Sequence, residues 1–354
     1  MANDETLLHV ENLCQHFRLD AKTVNKAVDN VSFDIKKGEV FGLVGESGCG
    51  KTTTGRSIIK LYDITSGSVY FKGQRICAGV KAYKDAIAAA RKEKRSCSDP
   101  KRVAELDKII ADNKEEIKKA QADHKKADRK LVNEIQMIFQ DPNASLDPRM
   151  TVRDIIAEGL LIKGVKDKKY IDEKVFEMLE TVGLVREHAS RYPHEFSGGQ
   201  RQRIGVARAL IMEPSLIIAD EPISALDVSI RAQVINLLND LRHNMGITIL
   251  FIAHDLSVVK YFSDRIGVMY YGKMVELAES EELFKHPFHP YTRSLLSAIP
   301  QPDPNYEKNR KRIVYNPIAD HDYRNSQPTF REVLPGHFVL CNDEEYARYR
   351  SEVK

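Results

Sequence analysis

One glycine-rich stretch near the start of the chain carries side chains that can hold a phosphate. It runs from Gly45 to Thr53 as GESGCGKTT and fits the pattern G-x-x-x-x-G-K-[ST]. Glycines let the backbone curl until its N–H groups point at phosphate oxygens, and a helix that begins there adds the positive end of its dipole. Lys51 would reach the β- and γ-phosphates, and the hydroxyl of Thr52 would hold Mg²⁺. The predicted nucleotide-binding residues of this loop are Gly45, Glu46, Ser47, Gly48, Cys49, Gly50, Lys51, Thr52 and Thr53.

The elements that must position this loop alternate between apolar strands and amphipathic helices. Val40 to Val44 predicts a buried strand before the loop, and Thr52 to Lys60 predicts the start of a helix after it. Further strands are predicted at residues 7–17, 27–35, 67–73, 134–139, 215–221 and 247–253, and further helices at 151–162, 170–182, 197–212 and 230–244. This alternation predicts an α/β fold with a largely parallel central sheet and ligands at the carboxyl ends of its strands.

Length and composition exclude several classes of protein. A chain of 354 residues can form one large or two medium domains, and a net charge of +3 is too small to indicate nucleic acid by itself. The five cysteines are scattered without a C-x-x-C pair, which favours a reducing compartment and argues against disulfides or a zinc site. The polar start of the chain predicts no signal peptide, and no apolar run approaches the roughly 18 residues that span a bilayer. Any membrane role would therefore depend on a partner.

Residues 81–130 differ in composition from the rest of the chain. They contain sixteen Lys and Arg against ten Asp and Glu. A turn at Ser98-Asp99-Pro100 is followed by residues at 3-4 spacing that predict a heptad seam. These positions are Val103, Leu106, Ile110, Asn113, Ile117, Ala120, His124, Ala127 and Leu131. A shorter run with Tyr83, Ile87 and Ala90 would pack against this helix as a hairpin. A solvated charged face is the preferred interpretation, and a basic arm that binds acidic lipid or RNA is the alternative.

Several polar motifs follow the phosphate loop in a specific order. They are Gln140, then Ser197-Gly198-Gly199-Gln200, then Asp220-Glu221 with Asp227, and finally His254. In this order they closely resemble the ATP-binding cassette (ABC) ATPases. The resemblance implies a RecA-like ABC ATPase core with an antiparallel β subdomain, a helical subdomain, a coiled-coil-like helical insert and a C-terminal extension. It also implies ATP and Mg²⁺ as ligands.

The resemblance further implies a role for each motif residue. Asp220 would hold Mg²⁺, together with Thr52 and Gln140. Glu221 would orient or deprotonate the attacking water, and His254 would contact the γ-phosphate. Adjacent carboxylates suit these two tasks because one faces the metal and the other faces the nucleophile. The predicted catalytic residues are Glu221, His254, Gln140 and Lys51.

The remaining motif residues are implied to act at the nucleotide or across a dimer. Phe17 resembles the aromatic residue that stacks on adenine, and a core-facing strand Phe is the alternative. Ser197 and Gly199, with Gly198 and Gln200 in the same motif, would close over ATP held by a second ATPase. Asp227 would communicate across that seam. Each ATP site would thus be formed by two ATPases together. Because every motif is intact, the chain would contribute a functional phosphate loop to one such site and a functional signature motif to the other.

Longer stretches resemble the importer ATPases for oligopeptides, dipeptides and nickel. They are Gln136 to Val152, Arg191 to Leu210 and His286 to Pro300, while Pro328 to Cys341 resembles the tail of F-type oligopeptide importer subunits. We therefore expect the ATPase of a peptide importer at the cytoplasmic face of the cell membrane. Its expected partners are a second related ABC ATPase in a heterodimer, two transmembrane permeases and an extracellular substrate-binding protein. A dipeptide or nickel system is the alternative.

Two cysteines carry separate expectations. Several relatives have a C-terminal cysteine cluster for an iron–sulfur centre, but here Cys341 is alone in that region. One thiolate cannot hold such a cluster, so no iron–sulfur cluster is expected. Cys49 lies inside the phosphate loop, where a helix N-terminus would lower the pKa of its thiol. A small space-filling role for Cys49 is the preferred interpretation.

A soluble ABC ATPase that acts on nucleic acid or ribosomes is the rival hypothesis, suggested by the charged insert. DNA-repair members have a far longer coiled coil, usually after the glutamine loop, and ribosome-associated members usually have two cassettes. This chain has one cassette with its insert before Gln140, so no direct nucleic-acid contact is expected. The predicted divisions are 1–80 (β subdomain and phosphate loop), 81–133 (hairpin insert), 134–200 (glutamine loop and helical subdomain), 201–285 (rest of the core) and 286–354 (C-terminal extension).

Overall fold

The computed structural model describes residues 6–20, 23–126, 129–299, 312–324 and 326–352, with the side chains of 124–126 and 129 outside the description. Seam position Ala127, the side chain of seam position His124, the first five residues and Pro300 therefore lie outside it. In chain order, the helices and strands are β1 (Thr6–Arg18), β2 (Val24–Lys36), β3 (Val40–Val44), α1 (Lys51–Ile58), β4 (Ser66–Phe71), β5 (Gln74–Val80), α2 (Lys81–Ser96), α3 (Pro100–Lys126), α4 (Arg129–Asn133), β6 (Ile135–Ile138), α5 (Pro142–Ser145), α6 (Val152–Ile162), α7 (Lys168–Thr181), α8 (Gly198–Leu210), β7 (Leu216–Asp220), α9 (Val228–Met245), β8 (Thr248–Ala253), α10 (Leu256–Phe262), β9 (Arg265–Tyr270), β10 (Lys273–Glu279), α11 (Ser280–Lys285), α12 (Pro290–Ser297), α13 (Pro317–Asp320), β11 (Thr329–Leu334), β12 (His337–Cys341) and α14 (Asp343–Ser351).

The chain forms two compact units. The first contains Met1–Lys36, Thr52–Val132 and Tyr271–Lys273, and the second contains Lys37–Lys51, Asn133–Tyr270 and Met274–Lys354. The five-part division predicted from the sequence stays a prediction. None of the described helices is both long enough and apolar enough to cross a bilayer.

A four-stranded sheet in the order β2-β1-β4-β5 forms the body of the first unit. Each neighbouring pair is antiparallel, and the predicted pairing of the first two strands is confirmed by contacts such as Leu8↔Ile35 and Val10↔Phe33. Gly67 brings β4 close to β1: its φ is +88°, and a Cβ there would lie 2.3 Å from the carbonyl oxygen of Asn12. Only glycine fits that approach.

The predicted helical hairpin is also confirmed in the first unit. Helices α2 and α3 pack together around Ile87, Ala90, Leu106 and Ile110, which form a small apolar core of their own. Helix α3 also packs on β5, where Arg75 forms a 2.6 Å ion pair with Asp123. The hairpin is therefore attached to the antiparallel sheet as well as held by its own seam.

An eight-stranded sheet in the order β11-β12-β10-β9-β3-β8-β7-β6 forms the core of the second unit. Strands β9, β3, β8, β7 and β6 are parallel, as predicted, while β10, β12 and β11 pair antiparallel. Every residue of β3, β7 and β8 is buried. Continuous apolar runs of this kind are typical of parallel strands covered on both faces.

Helices α6, α7 and α8 pack on one another within the second unit. Thr151 caps α6 by accepting a hydrogen bond from the N–H of Asp154. The next helix begins two residues earlier than predicted because Asp167 caps it and accepts from the N–H groups of Lys169 and Tyr170.

One buried carboxylate, that of Glu276, forms hydrogen bonds to several segments in the C-terminal part of the second unit. Glu276 on β10 is fully buried and accepts hydrogen bonds from the N–H groups of Phe288 (2.8 Å) and His289 (3.1 Å). It also contacts Nε2 of His337 on β12 at 2.8 Å. A buried carboxylate needs such donors to offset its loss of hydration. Glu276 therefore joins β10, the segment before α12 and the β11–β12 hairpin.

Candidate functional site

The polar residues predicted to do chemistry follow neighbouring parallel strands. Strands β3, β8, β7 and β6 lie side by side in one direction. The segments after their last residues therefore meet at one edge of the sheet. These segments carry the phosphate loop after β3, His254 after β8, Asp220 and Glu221 at the end of β7, and Gln140 after β6.

The phosphate loop has the backbone that its glycines predict. Gly45, Gly48 and Gly50 all have positive φ, at +150°, +82° and +108°. A Cβ on Gly45 would lie 2.2 Å from the carbonyl oxygen of Met269 on β9, so the loop packs directly against that strand. A side chain at the first position of the loop would displace it.

Lys51 ends the loop with its ammonium group turned inward. Its side chain is buried, and its Nζ donates to the carbonyl oxygens of Gly45 (2.7 Å) and Glu46 (2.9 Å). Phosphate oxygens are acceptors of the same kind with more negative charge. Thr52 and Thr53 follow in the first turn of α1, both half-buried.

Cys49 differs from the expectation of a lowered pKa. Its thiol is buried, and this burial raises the pKa of Cys49, although the charge of Lys51 acts in the opposite direction. The thiol therefore stays protonated at neutral pH and is a poor nucleophile. This supports the space-filling interpretation of Cys49.

Gln140, Glu221 and His254 form a cluster at the sheet edge. The Nε2 of Gln140 donates to Oε2 of Glu221 at 2.9 Å, and Nδ1 of His254 lies 3.3 Å from the same oxygen. The Glu221 side chain is 12% exposed and that of His254 is 51% exposed. One carboxylate oxygen of Glu221 thus contacts two other predicted catalytic residues, and the half-exposed His254 leaves the cluster open to a ligand.

Glu221 holds an unusual backbone conformation. Its φ is +44°, in the left-handed region, which is rare for a residue other than glycine. Its N–H donates to the carbonyl oxygen of Ile252 on β8 at 3.0 Å, and its own carbonyl accepts from Ser224. Strain of this kind concentrates at functional sites, where the surrounding structure maintains it. The turn aims the carboxylate at Gln140 and His254.

Asp220 precedes this turn and is fully buried at the end of β7. Its carboxylate offers oxygen ligands of the kind that Mg²⁺ prefers, and so does the amide oxygen of Gln140. The donor set Asp220 and Gln140 therefore fits a hard divalent cation. The hydroxyl of Thr52 is of the same chemical type.

The signature motif opens α8 as predicted. The Oγ of Ser197 accepts from the N–H of Gln200 at 3.3 Å, and the Gln200 side chain accepts from the N–H of Ser197 at 3.0 Å, which forms a capping box. Gly199 packs against Ile230 of α9, and the motif lines a cavity of about 230 Å³. Gly198 forms the first residue of the helix, and Asp227 is exposed just before α9.

Phe17 lies in the first unit, at the end of β1. It is half-buried and makes an edge-to-face contact with Tyr62, with ring centroids 5.3 Å apart. Its role in stacking on adenine stays a prediction.

Two residues near the site were missed by the sequence reasoning. Arg208 on α8 donates to the carbonyl oxygen of Ser145 at 2.6 Å and lies over the ring of Phe139, so it ties the signature helix to the segment around Gln140. Tyr291 accepts a hydrogen bond from the N–H of Glu46 in the phosphate loop. Both belong to the stretches that carried the family resemblance, but neither contact can be inferred from spacing.

One group of potential metal ligands lies elsewhere, in the first unit. Ligand atoms of Cys14, His16 and Asp29 lie within 4.8 Å of one another. The carboxylate of Asp29 already contacts Nε2 of His16 at 3.3 Å and Nζ of Lys26 at 3.4 Å. The ammonium group of Lys26 supplies the positive charge there, so we interpret the group as an ion-pair cluster.

Two family profiles match parts of the chain. Residues 28–224 match the profile of the ABC transporter family, and residues 275–324 match the profile of the oligopeptide/dipeptide transporter C-terminal region.

Characterised relatives match nearly the whole chain. The oligopeptide transport ATP-binding protein OppF of Bacillus subtilis is 55% identical over 98% of this chain and 99% of its own length. OppF of Streptococcus mutans is 50% identical over 99% of both chains. The dipeptide transport ATP-binding protein DppF of Lactococcus lactis is 48% identical over 99% of this chain and 98% of its own.

Solved structures share the fold at lower identity. CbiO1 from Clostridium perfringens, part of an ABC transporter complex, has a TM-score of 0.57 at 23% identity and covers 80% of this chain and 92% of its own. A post-hydrolysis dimer of an ATP-binding cassette with ADP and Pi has a TM-score of 0.57 at 25% identity over 77% of this chain and 99% of its own. These likenesses establish the cassette fold.

Proposed function

The chain belongs to the ABC transporter family, and from this premise we propose that it is the ATP-hydrolysing subunit of an importer that carries oligopeptides across the cytoplasmic membrane. The observation that carries the ATPase activity is the cluster of Gln140, Glu221 and His254 at the sheet edge that also bears the phosphate loop. The peptide substrate rests on the identity to peptide-transport relatives over nearly the full chain.

In this proposal the phosphate loop and Lys51 hold the phosphates of ATP. Phosphate oxygens replace the carbonyls that Lys51 now contacts, and the N–H groups of the glycine loop donate to them. Phe17 stacks on the adenine. Glu221 accepts a proton from the attacking water or orients it, and Gln140 and His254 hold that carboxylate in place.

Mg²⁺ would be held by Asp220, Gln140 and Thr52, and when bound it neutralises charge that develops on the phosphates. The chain's own residues position the reaction. The left-handed turn at Glu221 separates the two neighbouring carboxylates, so that one stays buried at the metal position and the other reaches the nucleophile. The His254 ring contacts Glu221 through Nδ1 and is half-exposed, so it can also reach the γ-phosphate.

A second, related ABC ATPase completes each site in this proposal. Ser197, Gly198, Gly199 and Gln200 present a helix N-terminus, whose dipole and N–H groups favour an anion. The motif would cover ATP bound by the partner, and the exposed Asp227 would lie at the seam. Two permeases would hold the pair at the cytoplasmic face of the membrane, and an extracellular binding protein would deliver the peptide.

A dipeptide importer is the second candidate. The Lactococcus lactis relative named for dipeptide transport is nearly as similar to this chain as the oligopeptide proteins. Both candidates share the ATPase mechanism and differ only in what the other subunits bind.

The test is affinity purification of the tagged chain from its native cells in mild detergent, followed by mass spectrometry. We expect a second ABC ATPase and two multi-span membrane proteins. Uptake of labelled di-, tri- and pentapeptides by cells that lack the chain, with and without complementation, then separates the two candidates. Recovery of ribosomal proteins or nucleic acid without permeases would refute the importer and support the soluble rival.

A further inference from the structure

Tyr291 connects the C-terminal region to the phosphate loop. It lies in the first turn of α12, and its side chain is almost fully buried. Its hydroxyl oxygen accepts a hydrogen bond of 3.0 Å from the N–H of Glu46, the second residue of the loop. A buried hydroxyl with a defined backbone partner is a specific contact rather than incidental packing.

The same peptide unit also holds Lys51. The N–H of Glu46 and the carbonyl of Gly45 belong to one planar peptide group. That carbonyl accepts from Nζ of Lys51 at 2.7 Å. A rotation of this plane would break both bonds, so the orientation of the plane couples the Tyr291 hydroxyl to the Lys51 ammonium group. Glycine at position 45 restrains this rotation little, because it has no Cβ to limit its backbone dihedral angles.

The position of Tyr291 is itself fixed from several sides. Its ring packs on the rings of Tyr270 and Tyr315, whose centroids lie 4.4 Å and 5.5 Å from its own. Its N–H donates to Nδ1 of His289 at 3.2 Å, and the N–H of His289 donates to the buried Glu276. A continuous series of hydrogen bonds thus runs from β10 to the phosphate loop. Burial also raises the pKa of Tyr291, so the phenol stays protonated at any physiological pH.

We propose that Tyr291 is a positioning residue for the phosphate loop: it sets the orientation of the Gly45–Glu46 peptide and thereby the place of Lys51, so that the C-terminal region tunes the affinity for ATP. The proposal rests on the proposed function, in which this loop binds ATP. It gives the C-terminal region a role inside the ATPase core, distinct from contacts with other subunits.

The first measurement compares Tyr291→Phe with Tyr315→Phe. Each variant removes one hydroxyl from the same aromatic cluster, but only the first removes the bond to Glu46. For Tyr291→Phe we expect the Kd and KM for ATP to rise about two- to tenfold, the range that loss of one hydrogen bond gives, with kcat at saturating ATP within about twofold of the parent. For Tyr315→Phe we expect both parameters to stay within about twofold.

The second measurement needs no nucleotide. The N–H of Cys49 donates to the carbonyl of Glu46 at 3.3 Å, so the Cys49 thiol reports on order in the loop. Its alkylation rate is measured by peptide mass spectrometry relative to Cys77, which is equally buried in the first unit. Tyr291→Phe should raise the Cys49 to Cys77 ratio at least about threefold, whereas general unfolding would raise both rates together.

The outcomes separate the two proposals. An unchanged ratio overturns the positioning role, and so does unchanged affinity in protein that binds ATP. An equal loss of affinity in Tyr315→Phe would assign the effect to aromatic packing and also overturn it. If the parent does not bind ATP but the ratio rises in Tyr291→Phe, the loop contact stands while the proposed function fails.

Discussion

The parallel and antiparallel halves of the eight-stranded sheet differ in how far their polar side chains are buried and hydrogen-bonded. In the parallel half, one oxygen of Glu221 contacts both Gln140 and His254, the backbone of Glu221 is strained, and the His254 side chain is 51% exposed. In the antiparallel half, Glu276 and His337 are fully buried, and Glu276 is bonded by three donors of its own region.

The difference distinguishes side chains with a proposed role in catalysis from side chains that stabilise the fold. A residue that must exchange a protein partner for a ligand has to remain accessible and loosely satisfied. A residue that joins chain segments gains most from burial with complete hydrogen bonding, since removal of one partner leaves an uncompensated charge. Substitutions in the parallel half should therefore change turnover, and those in the antiparallel half should change stability.

The largest expected effect is on turnover in Glu221→Gln. Without the carboxylate that activates water, kcat for ATP hydrolysis should fall by about a hundredfold or more, while ATP binding and melting temperature stay near those of the parent. Phosphate release at saturating MgATP measures this. Glu213→Gln is the matched control, because Glu213 also has a positive φ of +53° and is exposed on the surface. Normal turnover in Glu221→Gln would contradict the assigned role.

In the antiparallel half, Glu276→Ala should act on stability. It leaves two N–H groups and the His337 ring without their acceptor, so the free energy of unfolding should fall by about 3–5 kcal/mol. Urea denaturation measures the loss, with Glu281→Ala, an exposed residue of α11, as the control. Turnover per folded molecule should change less than about tenfold. If Glu276→Ala were as stable as the parent, the proposed stabilising role of the antiparallel half would be contradicted.

A pH titration tests burial in the same region. Burial, helped by the charge of His321, lowers the pKa of His289 from 6.5 to about 3. Below pH 6.5 the unfolded chain therefore binds a proton that the folded chain excludes, so stability falls with pH by about 1.4 kcal/mol per unit. The parent should lose about 2 kcal/mol more than His289→Asn between pH 6.5 and 5, because Asn can still accept from Tyr291. If the parent and His289→Asn lose the same free energy of unfolding between pH 6.5 and 5, the lowered pKa of His289 is contradicted.

The smallest expected effect is on stability, for a substitution in the hairpin of α2 and α3. Arg102 pairs with Glu93 at 2.8 Å and Glu105 at 2.9 Å, and all three side chains are exposed. Solvent screens such pairs, so Arg102→Ala should leave the denaturation midpoint of the protein unchanged within error. A clear decrease would show that this charged face does more than interact with solvent.

The sequence predicted the parallel half far better than the antiparallel half. The phosphate loop, Gln140, Glu221 and His254 follow short strands that are mostly apolar, and such strands produce a clear pattern. The hairpin of α2 and α3 was also predicted, because its apolar residues recur at helical spacing. The contact of Gln140 with Glu221 was not predicted, because it depends on the pairing of β6 with β7, which the sequence pattern does not specify.

The antiparallel half was missed because its strands lack that pattern. Strand β11 is mostly exposed, with Val333 its one fully buried residue, and β10 has the charged residue Glu276 in the middle of its buried run. The bond between Tyr291 and Glu46 joins residues 245 positions apart. Contacts at such separation depend on tertiary packing, which local propensity does not encode.

The pairing of β3 has a consequence for the order of events during synthesis. Strand β3, which carries the phosphate loop, lies between β8 and β9, both about 200 residues further along the chain. At roughly 5–20 residues per second, a ribosome needs on the order of 10 to 40 s to make the missing neighbours. During that time the nascent loop has no sheet to hold it and no Met269 backbone against Gly45. A ligand that binds the phosphate loop can therefore stabilise the finished chain but not the growing one, whose apolar β3 strand stays without its neighbours in the interval.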